Sequence, residues 1–120
     1  MRHHAIMVTG HNDAYLEKVH AFAVELFTPA DRTTIHASPL CWVTPLSPEA
    51  INGYRSFFIA PDGSKEGWEP SDEADRRRQV FIDWLKAERK AHRYVDWAEV
   101  MFHDEGGHPK LLAASCKLRS

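Results

Sequence analysis

Cysteine is scarce in this chain: Cys41 and Cys116 are the only thiols, and they lie far apart. Such spacing argues against a disulfide framework and predicts buried, reduced side chains in a cytosolic protein. Long apolar runs are also missing. No stretch approaches the length that crosses a bilayer, and the opening residues lack the charged, apolar and small-residue succession of a signal peptide. A soluble intracellular protein with no membrane partner is expected. Basic charge is not in surplus: residues 1–60 carry 4 basic and 5 acidic side chains, residues 61–120 carry 11 and 12, and the formal net charge is −2. Long DNA or RNA held by phosphate neutralisation needs such a surplus and is not expected.

Catalytic and metal signatures are equally thin. Gly10, Gly53 and Gly63 stand alone, outside any Gly-x-x-x-x-Gly-Lys phosphate loop or Gly-x-Ser-x-Gly elbow. The eight histidines form no His-x-x-x-His pair, there is no Cys-x-x-Cys, and His3 and His4 leave a strand on opposite faces. Neither metal nor cofactor is implied. Asp96 and Glu99 also point oppositely if they share a strand, because odd spacing alternates faces. His36-Ala37-Ser38 has the His-x-Ser form of half of a two-histidine phosphoesterase signature, and no second half exists in the chain.

What is present is concentrated around residues 52–68. Asn52-Gly53 and Pro61-Asp62-Gly63 have turn chemistry, and Tyr54 to Ala60 between them reads as one short strand. Tyr54, Ser56 and Phe58 point one way and Arg55, Phe57 and Ile59 the other, so an interior strand is expected. The turn after it combines the Asp62 carboxylate, the Gly63 backbone N–H, the Ser64 hydroxyl and the Lys65 ammonium, with the Trp68 indole three residues on. Such a set suits an anion beside a flat ring. Solvated turn residues under a Trp that lids the core are the other reading.

The remaining elements follow in order. Residues 3–8 read as a first strand that Thr9-Gly10-His11-Asn12 breaks. Asn12 or Asp13 caps a helix whose apolar stripe is Leu16, Val19, Phe22, Ala23, Leu26 and Phe27, stopped by Thr28-Pro29. Thr33–Ser38 is a plausible strand, which Leu40–Val43 resumes beyond Pro39. A second helix is expected with Ser71 as N-cap, a stripe of Val80, Phe81, Trp84, Leu85 and Glu88, and Arg76-Arg77-Arg78 on a solvated face where Asp72 partners Arg76. Residues 96–102 and 110–114 make a hairpin about Asp104–Gly107.

One α+β domain results, a ferredoxin-like split β-α-β-β-α-β with an additional C-terminal strand and an antiparallel sheet carrying two helices on one face. The expected strand order is 4-1-3-2 with the extra strand outside the fourth. The other face is then rich in large apolar groups, with Trp42, Phe58, Trp97 and Met101 as candidates, and a homo-oligomer is expected to cover it.

The motifs His-His-Ala-Ile at 3–6, Asn-Gly-Tyr at 52–54, Ser-Phe-Phe-Ile-Ala-Pro-Asp-Gly-Ser-Lys-Glu-Gly-Trp at 56–68 and Asp-Trp-Ala-Glu-Val at 96–100 together resemble a group of small proteins encoded by bacteriophages and prophages. The resemblance implies a phage origin and action in the host bacterial cytoplasm. By class analogy, it suggests a counter-defence factor. The residues then predict a non-enzymatic sponge that buries a small (cyclic) nucleotide signal at a subunit interface. Its expected ligand contacts are Tyr54, Arg55, Ser56, Asp62, Gly63, Ser64, Lys65, Trp68, His36 and Trp97, cations on phosphate and rings on the base. The alternatives are an inhibitor that blocks a host defence protein, since interfaces favour Trp, Tyr and Arg, and a small phosphodiesterase working through His36.

Overall fold

A ten-residue strand, β1 (Arg2–His11), runs through the sheet between β2 (Tyr54–Ile59) and β3 (Asp96–His103), antiparallel to both. The hairpin strand β4 (Lys110–Ala114) lies outside β3, giving the order β2-β1-β3-β4. Helix α1 (Ala14–Phe27) connects β1 towards β2, and α2 (Glu69–Lys90) connects β2 to β3. This computed structural model describes residues 2–28, 40–63, 67–91, 95–103 and 106–115. Among the described residues the fold is α+β, with one antiparallel sheet of four strands and two α-helices, consistent with the split ferredoxin-like arrangement.

β1 does not stop at Val8 as its sequence suggests. Thr9, Gly10 and His11 continue the ladder opposite Ser56, Arg55 and Tyr54. Gly10 permits this by its size, since a Cβ there would come within 3.2 Å of Val95 Cγ1. The turn before β2 agrees with the sequence: Asn52 and Gly53 both take positive φ, at 65° and 75°. Gly53 O then accepts from Asn12 N at 2.8 Å and closes that end of the β1–β2 pair.

The expected strand Thr33–Ser38 lies outside the described residues. Its continuation at Leu40–Val43 is reduced to an isolated bridge between Val43 and Ile59. An extended strip nonetheless covers the outer edge of β2, with Ala60 N donating to Trp42 O, Thr44 N to Phe58 O and Ser47 N to Ser56 O. Pro45 and Pro48 prevent a regular ladder because they carry no N–H. Two hydroxyls substitute: Thr44 Oγ1 accepts from Phe58 N and Ser47 Oγ from Ser56 N, each at 2.9 Å.

The helices fold onto Ile6, Val8, Phe57, Ile59 and Trp97 through Leu16, Val19, Ala23, Phe27, Phe81, Ile82 and Leu85, all buried. Each large aliphatic or aromatic side chain so removed from water contributes about 1.5–3 kcal/mol. Asp13 caps α1 by accepting from Leu16 N at 2.8 Å. At the other end, Leu40 N donates to Phe27 O and Arg77 Nη1 to Leu26 O, satisfying carbonyls that a helix terminus leaves without intrahelical partners.

α2 departs from expectation in three places. It begins at Glu69 with Trp68 as N-cap, and Ser71 is a buried residue inside the helix, because Pro70 occupies the first turn where its missing N–H costs nothing. Val80 faces solvent, and the buried stripe is Ala74, Arg78, Phe81, Ile82 and Leu85. Arg76 and Arg77 both pair with Glu73, instead of Arg76 with Asp72. Among the described residues, no helix is long and apolar enough to cross a membrane.

Candidate functional site

Strand register decides which candidate residues meet. Tyr54 pairs with His11, Ser56 with Thr9 and Phe58 with Met7, all on the face away from the helices. Thr9 and Met7 in turn lie opposite Asp96 and Ala98 of β3. Directly opposed residues in an antiparallel pair share a face, so these side chains form one surface. The rings of His11 and Tyr54 lie 4.4 Å apart at its rim. Ser56 Oγ donates to Thr9 Oγ1 at 2.8 Å.

At the junction of these strands is a shallow hollow of about 230 Å³, lined by Met7, Val8, Thr9, Ser56, Asp96, Trp97 and Ala98. Two residues expected at the ligand, Ser56 and Trp97, therefore border one concavity. Trp97 nevertheless points towards the helices and is only 5% exposed, so its ring belongs to the core and offers no stacking platform. The hollow has an apolar floor with the Thr9 and Ser56 hydroxyls and the Asp96 carboxylate around it.

Beyond the hollow the same face stays apolar on β3 and β4, with His3 of β1 opposite Phe102. Val100 and Phe102 follow Ala98 on β3, and Leu111 lies opposite Val100 on β4. Met7 is 57% exposed, Phe102 42% and Leu111 51%. The expectation of an apolar sheet face thus holds with different residues. Trp97 and Met101 turn inwards and are buried, Trp42 is exposed on the strip beside β2, and Phe58 is the one expected side chain on the open face. Asp96 and Glu99 do leave β3 on opposite faces, as the alternation requires.

Of the other expected ligand residues, the described ones, Arg55, Asp62, Gly63 and Trp68, are not assembled there. Arg55 is committed to structure, donating from Nε to Ser47 O at 2.8 Å and from Nη1 to Asn12 Oδ1 at 3.0 Å. Asp62 and Gly63 follow the far end of β2, about 17 Å along the strand from Tyr54. Asp62 is occupied by Arg78, whose Nη1 donates to its Oδ1 at 3.2 Å. Trp68 is exposed at the start of α2. Ser64, Lys65 and His36 lie outside the described residues, as does Cys116; Cys41 is buried as expected.

The Arg78 cluster is the feature that sequence reading missed. Its guanidinium is buried, donating to Asp62, to Asp75 Oδ1 at 2.5 Å and to Cys41 Sγ at 3.8 Å. Burial draws its pKa down, but the Asp75 hydrogen bond and the nearby Cys41, Asp62 and Asp75 outweigh it, so the pKa stands above the ordinary arginine value. The group stays charged and acts as a rivet between α2 and the segment leaving β2. A signal existed in the i, i+3 spacing of Asp75 and Arg78, whereas Asp62 lies sixteen residues upstream.

Comparison with protein-family models, curated proteins and solved structures finds no match to this chain.

Proposed function

We propose that this protein is a non-enzymatic binding protein that captures a small nucleotide between two copies whose open sheet faces meet, with the base lying in the hollow beside Ser56. The observation that carries this reading is the hollow itself, set in an apolar surface that leaves Met7, Phe102 and Leu111 exposed. One hollow is smaller than the roughly 300–1,000 Å³ typical of ligand sites. Two facing each other reach that range and exclude water from both. The apolar floor suits a planar ring, and the oxygens of Thr9, Ser56 and Asp96 supply acceptors that read its edge.

The phage likeness of the sequence supplies the setting: a counter-defence sponge in the host bacterial cytoplasm. Native mass spectrometry with a panel of linear and cyclic nucleotides tests it. Two chains carrying one or two unaltered nucleotides are expected; a chemically changed ligand supports instead the phosphodiesterase reading built on His36.

A second reading is favoured by the extent of the apolar face, which continues past the hollow to Phe102 and Leu111. There the same surface blocks a host defence protein. It predicts a stable complex with that protein and no nucleotide affinity.

A further inference from the structure

Three polar residues cross the sheet in one row. Ser56 of β2 lies opposite Thr9 of β1, and Thr9 lies opposite Asp96 of β3, so their side chains share the open face. The next row on that face is Phe58, Met7 and Ala98. The hollow lies where the two rows adjoin, and Ala98 contributes only a methyl group to its floor.

The hydroxyl protons of the polar row are already committed. Ser56 Oγ donates to Thr9 Oγ1 at 2.8 Å, and Thr9 Oγ1 donates onward to Arg55 O at 3.4 Å. What the two hydroxyls leave for a ligand is lone pairs, since each oxygen can accept two hydrogen bonds. Asp96 adds a carboxylate with about four acceptor positions. Its Oδ1 receives Ser115 Oγ at a long 3.4 Å, which leaves the greater part of that capacity open. These three side chains therefore present acceptors and no free donor.

Such a rim disfavours any base that turns an acceptor towards it. On its base-pairing edge adenine sets a ring nitrogen acceptor beside its amine, cytosine sets two acceptors, and uracil flanks its N–H with carbonyl oxygens on both sides. Guanine alone among them places two donor groups side by side, the N1–H and the exocyclic amine.

Resting on the reading of the hollow as a base site, we infer that the base is guanine, with N1–H and one amine hydrogen on the Asp96 carboxylate and the other amine hydrogen on the Thr9 or Ser56 oxygen. Neighbouring strands lie about 4.8 Å apart, and side chains stand roughly perpendicular to the sheet. One NH₂ group that donates in both directions at about 2.9 Å spans a gap of that size. The ionised acceptor makes the bonds to Asp96 the stronger kind, and a second sheet face laid over the hollow removes the water that competes for them.

The test is isothermal titration of the full-length chain with the linear and cyclic monophosphates of guanosine, inosine, adenosine, cytidine and uridine. A guanosine nucleotide should bind tightest, about tenfold or more above its inosine counterpart, which lacks only the amine. Asp96→Asn, at an exposed residue, keeps the side-chain shape and turns one acceptor into a donor. An amide is the complement of the donor and acceptor that adenine sets together, so the preference should move from guanosine to adenosine nucleotides. Adenosine or cytidine nucleotides that bind the wild-type chain as tightly as guanosine ones, or a folded Asp96→Asn chain that keeps the guanine preference, would overturn the guanine assignment and leave the base site standing. Binding of none of the nucleotides would overturn both.

Discussion

Arg78 and Asp62 meet with 3.2 Å between Nη1 and Oδ1, both side chains almost entirely out of solvent. This pair fastens α2 to the chain leaving β2 and thereby fixes where the helix lies over the sheet. Removing one member of a buried ion pair typically costs about 3–5 kcal/mol, because the other charge stays desolvated. Arg78→Met is expected to lower the urea-unfolding free energy by that amount. Asp75→Ala should cost only about 0–1 kcal/mol, since Asp75 is 58% exposed and solvent screens its share. Equal losses in the two variants would contradict the burial assigned to the Asp62 contact.

Glu73 gives a pH signature. The hydrogen bond from Arg77, then that from Arg76, holds its carboxyl below the ordinary value of 4.5. A carboxylate with a depressed folded pKa contributes its stability above the unfolded pKa and loses it as pH falls through the folded one. Unfolding free energy should therefore decline as pH falls below 4.5, and Glu73→Gln should make that decline shallower while lowering stability at pH 7. An identical slope in the variant, measured by urea unfolding across this range, would argue against the pairing.

The hydroxyls that replace ladder carbonyls along β2 are separately testable. Thr44→Val keeps shape but leaves Phe58 N without its acceptor, at a cost of about 1–3 kcal/mol. Ser47→Ala does the same to Ser56 N. Amide exchange at Phe58 and Ser56 should accelerate in the respective variants; unchanged exchange would mean that other groups cover this edge.

Much of this fold is legible in the sequence wherever one apolar period dominates. The Leu16, Val19, Ala23, Phe27 stripe and the Asp13 cap define α1, and positive φ at Asn52-Gly53 marks the entry to β2. Legibility fails where both faces of an element are apolar. On β3, Trp97 and Met101 alternate with Val100 and Phe102 over most of the strand, and neither set announces which faces the helices. Arg78 hides for a different cause. A charge run ordinarily lies in water, and only the return of Asp62 from an earlier turn makes burial of one member tolerable. In the sequence the turn carrying Asp62 reads as ligand chemistry; part of that chemistry instead serves the core.

The claim of a nucleotide held between paired sheet faces is tested most directly at Met7. Its side chain is more than half exposed on the open face, so Met7→Glu should alter stability by no more than about 0.5 kcal/mol. It also places a charge in the middle of the contact. Sedimentation equilibrium with and without the nucleotide selected by the panel should show the wild-type chain as a dimer that carries ligand and the variant as a folded monomer that carries none. A Met7→Glu monomer that binds the nucleotide with wild-type affinity would contradict it.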